Sequence, residues 1–499
     1  MGRFEGEVMG HKLKIAGWIA VGAIAGALTT VQLQAVARGA LAPLPLEELQ
    51  QLAAVFGMVK SDYVEPVDEK KLITDAISGM VSSLDPHSQY YDKKAFKEFR
   101  ENTSGRFVGV GIEITMEDGL VKVVSPIEGS PAYRAGLKPN DLITKIDDTP
   151  VKGLTINDAV KRMRGEPSTK VQLTIFRKDE NRSFPVAITR EEIKTQSVKA
   201  KSVEPGYGWI RVSQFQERTV EDFARKLEEL YKEQPQLKGL VLDLRNDPGG
   251  LLDAAVAISA AFLPDDVVVV TTNGQLDESK AVYKATPRDY LRRATSNDPI
   301  RRLTDHTKGL YKTVPLVVLV NEGSASASEI VAGALQDHKR AQILGSQTFG
   351  KGSVQTFRQL GPDSGLKITT ARYYTPKGQS IQAKGIVPDV MVDETEEGNL
   401  FAALRTREAD LDRHLGNGKK DAEPQGEAAK AAEKQREQER EAARLRLEEE
   451  LRKNPTGRTL PEFGSDKDFP LQQALNQLKG QPVRVSKTLT VRPVEKAEN

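Results

Sequence analysis

The sequence predicts a multidomain α/β protein: an N-terminal helical region, a compact β-rich module and a parallel β/α core. Three observations carry that expectation. At 499 residues the chain is too long for one ordinary core, so two to four domains are expected. Apolar, β-branched runs at 240–244 and 316–320 alternate with helical patterns, as in parallel strand–helix–strand packing. Between 107 and 191 the pattern changes to short strands punctuated by glycine turns.

The elements follow in order. Lys12 and Lys14 precede a charge-free stretch at 15–37, the basic and apolar parts of a secretory signal. Ala35-Val36-Ala37 fits a cleavage site. The apolar part at 15–31 is longer than a minimal signal core and slightly short for a comfortable span, so an uncleaved inner-membrane anchor is the alternative. Export to the periplasm is expected either way. Leu46, Leu49, Leu52, Ala53 and Phe56 recur at helical spacing, as do Leu72, Ile73, Ala76, Ile77 and Met80, with Pro66 between them. Leu84-Asp85-Pro86-His87-Ser88 is a turn, followed by Tyr90-Tyr91 and a short helix.

In the β-rich module, Gly109-Val110-Gly111-Ile112 is a glycine turn entering an alternating strand, and a second strand at 121–124 pairs with it. A short helix stopped by Gly136, a strand at 141–146, a helix at 155–164 and strands at 171–176 and 183–188 complete it. In the core, strands at 208–215 and 240–244 flank a helix at 220–234. The turn Asp243 to Gly250, reading DLRNDPGG, leads into an apolar helix at 251–263 and a strand at 267–271. Residues 274–313 are polar and charged and are expected to be an extended connection or an insertion near the site. Residues 417–452, rich in Ala, Glu and Arg, read as a solvated helix or disordered linker, with one more short helix at 469–478. The expected domains are 1–40, 41–104, 105–192, 193–395 and the charged tail 396–499.

Composition excludes several chemistries. The absence of cysteine removes disulfides, thiolate nucleophiles and thiolate metal sites. A net charge of +2 argues against a nucleic-acid partner. No H-E-x-x-H or Walker A motif is present, and neither a metal nor another cofactor is expected. Of the five histidines, His338 lies roughly 18 Å along a helix from Ser326, too far to take its proton.

The chemistry-bearing stretch is 314–357. A buried strand opens it, and Ser326-Ala327-Ser328-Glu329 fits a capping box that starts the next helix. A lysine between two glycines, Gly350-Lys351-Gly352, follows in an otherwise uncharged run, with Gln355 beyond it. A serine hydroxyl needs a neighbour to take its proton, and lysine can do so only if burial lowers its pKa. The N–H groups at the helix start, Ala327's among them, are placed to receive an oxyanion. Ser324, Ser326 and Ser328 compete as the nucleophile, and spacing alone does not choose among them.

This block resembles the active site of the carboxy-terminal processing proteases, also called tail-specific proteases. Ser324-Ala325-Ser326-Ala327-Ser328-Glu329 matches the family pattern S-A-S-[AS]-[SA]-E, and Gly350-Lys351-Gly352-Ser353-Val354-Gln355 matches G-K-[GS]-x-x-Q. The resemblance implies Ser326 as nucleophile, Lys351 as general base and Gln355 as the residue that positions it. It implies an oxyanion hole from Gly249 or Gly250 together with Ala327. The β-rich module resembles a bacterial PDZ domain, with Gly109, Val110, Gly111 and Ile112 as the carboxylate-binding loop. The fold so implied is a crotonase/ClpP-like protease core with an inserted PDZ domain. The "LDPHS" region is similar to a helical arm used for dimerisation in the family.

The function implied is a serine endopeptidase that takes the free C-termini of exported proteins and cleaves through an acyl-enzyme. A homo-oligomer, dimer or higher, and a possible adaptor protein are the expected partners. A non-catalytic peptide-binding scaffold and acyl-CoA chemistry on the related crotonase-like core are the competing classes. The PDZ-like module and the complete Ser/Lys/Gln set argue against both.

Overall fold

The computed structural model describes residues 45–486, apart from 118, 128, 292–296, 397, 400–404, 418–440, 443–444, 446–448 and 450–460. The signal or anchor segment and most of the 417–452 linker lie outside the described residues. Among the described residues, no helix is long and apolar enough to cross a membrane.

The chain divides into two units, Met1–Ile77 and Ser78–Asn499. The first contains helix α1 (Leu46–Asp62), which buries none of its side chains, and most of α2 (Glu69–Ser82). The second begins with strand β1 (Gln89–Tyr91) and helix α3 (Lys93–Ser104), whose N-cap Asp92 accepts from the Ala95 N–H.

Strand β2 (Arg106–Gly109) then leads into the β-rich module. It contains β3 (Ile112–Glu117), β4 (Leu120–Pro126), helix α4 (Pro131–Arg134), β5 (Leu142–Ile146), β6 (Thr149–Pro150), helix α5 (Ile156–Met163), β7 (Lys170–Arg177) and β8 (Arg182–Thr189). Its sheet runs in the order β3-β4-β5-β7-β8, which leaves β3 at an edge. Strand β9 (Glu191–Lys194) pairs antiparallel with β2, from Arg106↔Lys194 to Gly109↔Glu191. Entry and exit strands therefore lie side by side, the geometry of an inserted domain. Val121, Val123, Ile143, Leu173 and Ile175 form the module's own core.

Beyond it come β10 (Val198–Glu204), β11 (Tyr207–Val212), helix α6 (Thr219–Glu233), β12 (Gly239–Asp243), helix α7 (Leu252–Phe262) and β13 (Val268–Gly274). Strand β14 (Ala281–Lys284) and three short helices follow: α8 (Pro287–Tyr290), α9 (Pro299–His306) and α10 (Leu310–Thr313). Then come β15 (Leu316–Val320), helix α11 (Ala327–Asp337), β16 (Gln342–Gly345), β17 (Ser353–Gly361), β18 (Ser364–Tyr374), β19 (Val390–Met391) and helix α12 (Phe469–Leu478).

The main sheet has the order β10-β11-β12-β15-β16-β19, parallel from β11 onward. Alternation along its strands sorts side chains to two cores. Leu240, Leu242, Val318 and Val320 join the cluster built with α6, α7 and α11. Val241, Val317 and Leu319 join a second cluster with Trp209 and with Leu471, Ala474 and Leu475 of α12. The continuous apolar run of β15 is thereby explained, because both of its faces are covered.

Two expectations are corrected here. The strand read at 267–271 does not extend the parallel sheet. As β13 it pairs antiparallel with β14 and β18 in a separate sheet that also contains β1 and β17. Residues 274–313 are more than an extended connection, since Tyr290, Ile300, Leu303 and Tyr311 from α8, α9 and α10 are buried in the main core. These apolar residues are spaced too sparsely among charges to give a periodic signal.

Candidate active site

The turns after β12 and β15, parallel neighbours, meet at the carboxyl edge of the main sheet, where ligands bind in open α/β folds. Ala325 N–H donates to the Asp247 carbonyl at 2.9 Å and the Ser328 hydroxyl to the same oxygen at 2.9 Å. The Ser324 hydroxyl donates to the Leu244 carbonyl at 2.8 Å. Both flanking serines are fully buried, and their hydroxyls tie the two turns together. Ser326, 8% exposed against 0% for each of them, makes no side-chain capping hydrogen bond.

Ser326 is held at φ 56°, ψ −110°, outside the left-handed helical well and in a backbone state that L-residues rarely adopt. It faces Glu329 as the sequence motif anticipates, but only the Glu329 arm of the capping box is a hydrogen bond. The Ser326 N–H donates to Glu329 Oε2 at 2.7 Å. Ala327 opens α11, so its N–H has no acceptor within the helix.

Gly249 (φ 91°) backs directly onto this turn. A Cβ there would lie 2.6 Å from the Ala325 carbonyl oxygen and 2.8 Å from the Ala327 nitrogen. Its own N–H donates to Asp247 Oδ1 at 2.9 Å. Gly250 sits at φ 146°, and a Cβ there would lie 2.0 Å from the Phe215 carbonyl oxygen. Asp247 Oδ2 is buried without a partner among the described residues, and burial pushes that carboxyl well above its ordinary range.

Lys351 lies in the loop before β17. Its N–H donates to Glu329 Oε2 at 2.9 Å, and the other oxygen, Oε1, accepts from the Thr348 hydroxyl and the Gly350 N–H, each at 2.6 Å. Some of the lysine's surface reaches solvent, but its ammonium is enclosed by protein. Desolvation, helped by Lys367 nearby, draws its pKa down to about 8 against the pull of Glu408, Glu329 and Asp85. The Glu329 carboxyl, fully buried, is pushed up to about 7 by burial, although its four donors favour the ionised form.

Gln355 lies on β17 beside a register shift and does not bond Lys351. Its Nε2 donates to the Ser353 hydroxyl at 2.9 Å and to Thr369 Oγ1 at 3.3 Å. Thr369 Oγ1 in turn donates to Asp85 Oδ1 at 3.1 Å. Asp85 belongs to the turn at 84–88; its Asp-Pro-His-Ser sequence gave a local signal for the turn but none for where it docks. Thr348, Gln382 and Glu408, also near the Lys351 loop, carry no such signal.

In the β-rich module, Gly109 ends β2 and Ile112 starts β3, with the buried Val110 between them. Gly111 takes φ 78°, and a Cβ there would lie 2.4 Å from that of Ser130. The Ser130 hydroxyl donates to the Gly111 carbonyl at 2.8 Å, which fixes the loop at the start of the edge strand. Among the described residues, no group of three His, Cys, Asp or Glu side chains is arranged to hold a metal ion.

Residues 206–392 match Peptidase family S41, 108–188 match the PDZ domain and 20–95 match the Activating protease CtpB N-terminal domain. A carboxy-terminal-processing protease of Bartonella bacilliformis is 45% identical over 350 residues, 70% of this chain and 76% of that protein. The chain belongs to the carboxy-terminal processing protease family. A probable CtpA-like serine protease of Staphylococcus aureus is 39% identical over 361 residues, 72% of this chain and 68% of that one. The solved photosystem II D1 C-terminal processing protease is 32% identical and covers 66% of this chain and 84% of its own, with a TM-score of 0.39. This carboxy-terminal processing protease is thus a serine-type peptidase with a PDZ domain and an S41 core.

Proposed function

We propose that this enzyme captures the free C-terminal tails of exported proteins on its PDZ domain and cleaves them with Ser326 and Lys351. Gly109, Val110, Gly111 and Ile112 offer backbone N–H groups to the terminal carboxylate, and the free edge of β3 accepts the extended tail. The neutral Lys351 amine takes the Ser326 proton as Oγ attacks the scissile carbonyl. The oxyanion falls to the Ala327 N–H and an amide of the Gly249–Gly250 pair. The lysine then gives its proton to the leaving amine, and water activated by Lys351 hydrolyses the acyl-enzyme.

The observation that carries this reading is the state of the three serines. Ser324 and Ser328 spend their hydroxyls on backbone carbonyls, while Ser326 is strained and shares one carboxylate oxygen with the backbone of Lys351. Export, through a cleaved signal or an inner-membrane anchor, is part of the proposal and rests on the sequence at 12–37. A homo-oligomer and an adaptor are also part of the proposal and rest on family resemblance. Gln355 is assigned to positioning Lys351 on the same ground, in a substrate-bound arrangement that differs from its present hydrogen bonds.

The test is cleavage of an unfolded protein with an apolar C-terminal tail. Wild-type cleavage, with Ser326→Ala and Lys351→Ala folded but inactive, supports the dyad. Persistent cleavage by Ser326→Ala would overturn it.

A further inference from the structure

Glu408 lies outside the segment matched to the protease family, yet it is buried against the loop that carries Lys351. Its N–H donates to the Phe349 carbonyl at 3.1 Å. Glu408 Oε1 accepts from Gln382 Nε2 at 2.9 Å, and Gln382 Oε1 accepts from the Gly352 N–H at 3.0 Å. The base loop is therefore braced on both sides of Lys351. The other carboxylate oxygen, Oε2, lies 2.7 Å from His87 Nε2, with the His87 side chain 16% exposed and that of Glu408 1% exposed.

His87 comes from the same turn as Asp85, and Asp85 receives the Thr369 hydroxyl that accepts from Gln355. One short turn thus reaches both the base loop and the strand that follows it. A buried carboxylate with a single imidazole partner costs desolvation that only good geometry offsets. This one has that geometry at both oxygens.

We infer that His87 and Glu408 are positioning residues for Lys351: together they fix the base loop and set the charge against which the amine gains and loses its proton. This rests on Lys351 being the base. The charges that act on the Lys351 amine are those of Lys367, Glu408, Glu329 and Asp85, and Glu408 favours its protonated form. Arg407 lies alongside with its guanidinium on the Thr348 and Lys384 carbonyls.

Two variants separate charge from brace. Glu408→Gln keeps the shape and removes the charge, so the rise of kcat/KM with pH moves to lower pH. That midpoint is read on the active molecules and does not depend on how much enzyme folds. His87→Ala removes the brace and lowers kcat roughly 10- to 100-fold with KM little changed, and His87→Gln, which keeps a hydrogen-bonding group, restores most of it. An unchanged midpoint in Glu408→Gln, or full kcat in His87→Ala, overturns the inference. Lys351→Ala in the same series tells the two failures apart. If it is inactive while Glu408→Gln is unshifted, only the role of the pair falls; if it stays active, the base assignment falls as well.

Discussion

Ser326 and Lys351 donate their backbone N–H groups to the same carboxylate oxygen, Glu329 Oε2, at 2.7 and 2.9 Å. The turn that carries Ser326 and the loop that carries Lys351 are thereby positioned by one buried group, while Thr348 and Gly350 fill its other oxygen. An ionised carboxylate accepts all four donors, whereas an amide has one acceptor oxygen and two N–H groups of its own. Glu329→Gln is therefore expected to lower kcat about 100-fold and to cost about 2–3 kcal/mol of stability, read by peptide cleavage and thermal melting. An active and fully stable Gln variant would show that the two loops hold themselves.

The rate should rise with pH. In the proposed dyad only the neutral Lys351 amine accepts the Ser326 proton, so kcat/KM is expected to climb through a midpoint near 8. The stability contribution has a definite sign. The folded pKa lies below the ordinary 10.5, so the contribution is present above 10.5 and is lost as pH falls through about 8. Lys351→Met should accordingly raise the melting temperature at pH 7, by an amount that shrinks toward pH 10. A gain that grows with pH would contradict this.

Gly249 admits no side chain. With a Cβ 2.6 Å from one backbone atom of the Ser326 turn and 2.8 Å from another, Gly249→Ala must displace Ser326 or Ala327. Activity should fall at least about 100-fold, the scale of losing one oxyanion donor. Affinity for a C-terminal tail peptide, measured by calorimetry, should be unchanged.

Gly111→Ala should have the opposite profile. Strain at φ 78° and overlap with Ser130 distort the loop proposed to bind the carboxylate. Tail-peptide affinity is expected to fall about tenfold or more, some 1.4 kcal/mol. Cleavage of a short peptide that does not engage the PDZ domain should be little affected, and an equal loss on both substrates would count against the loop.

The C-terminal helix is tied to the site's supporting turn. Arg245 forks onto Asp243 and onto Asp468, the N-cap of α12, with both Asp468 contacts at 2.7–2.9 Å and all three groups buried. Asp468→Ala leaves part of a buried guanidinium unpaired and should destabilise the core by about 3–5 kcal/mol, read by chemical denaturation. A loss under 1 kcal/mol would mean that α12 is held by its apolar face alone.

The sequence by itself determined most of the elements, those at 274–313 excepted, and the residue types proposed to react. The apolar run of β15, the DLRNDPGG turn, the serine cluster and the glycine-flanked lysine are local patterns, because side-chain period and turn chemistry act over a few residues. Tertiary structure decided what those groups do. Which serine keeps its hydroxyl uncommitted depends on the Leu244 and Asp247 carbonyls, which belong to another strand's turn. The antiparallel placement of β13, the partners of Gln355 and the approach of Glu408 and α12 likewise depend on segments far apart in sequence. A buried acceptor or an unpaired strand edge takes whichever donor the packing delivers, and no local spacing records that choice.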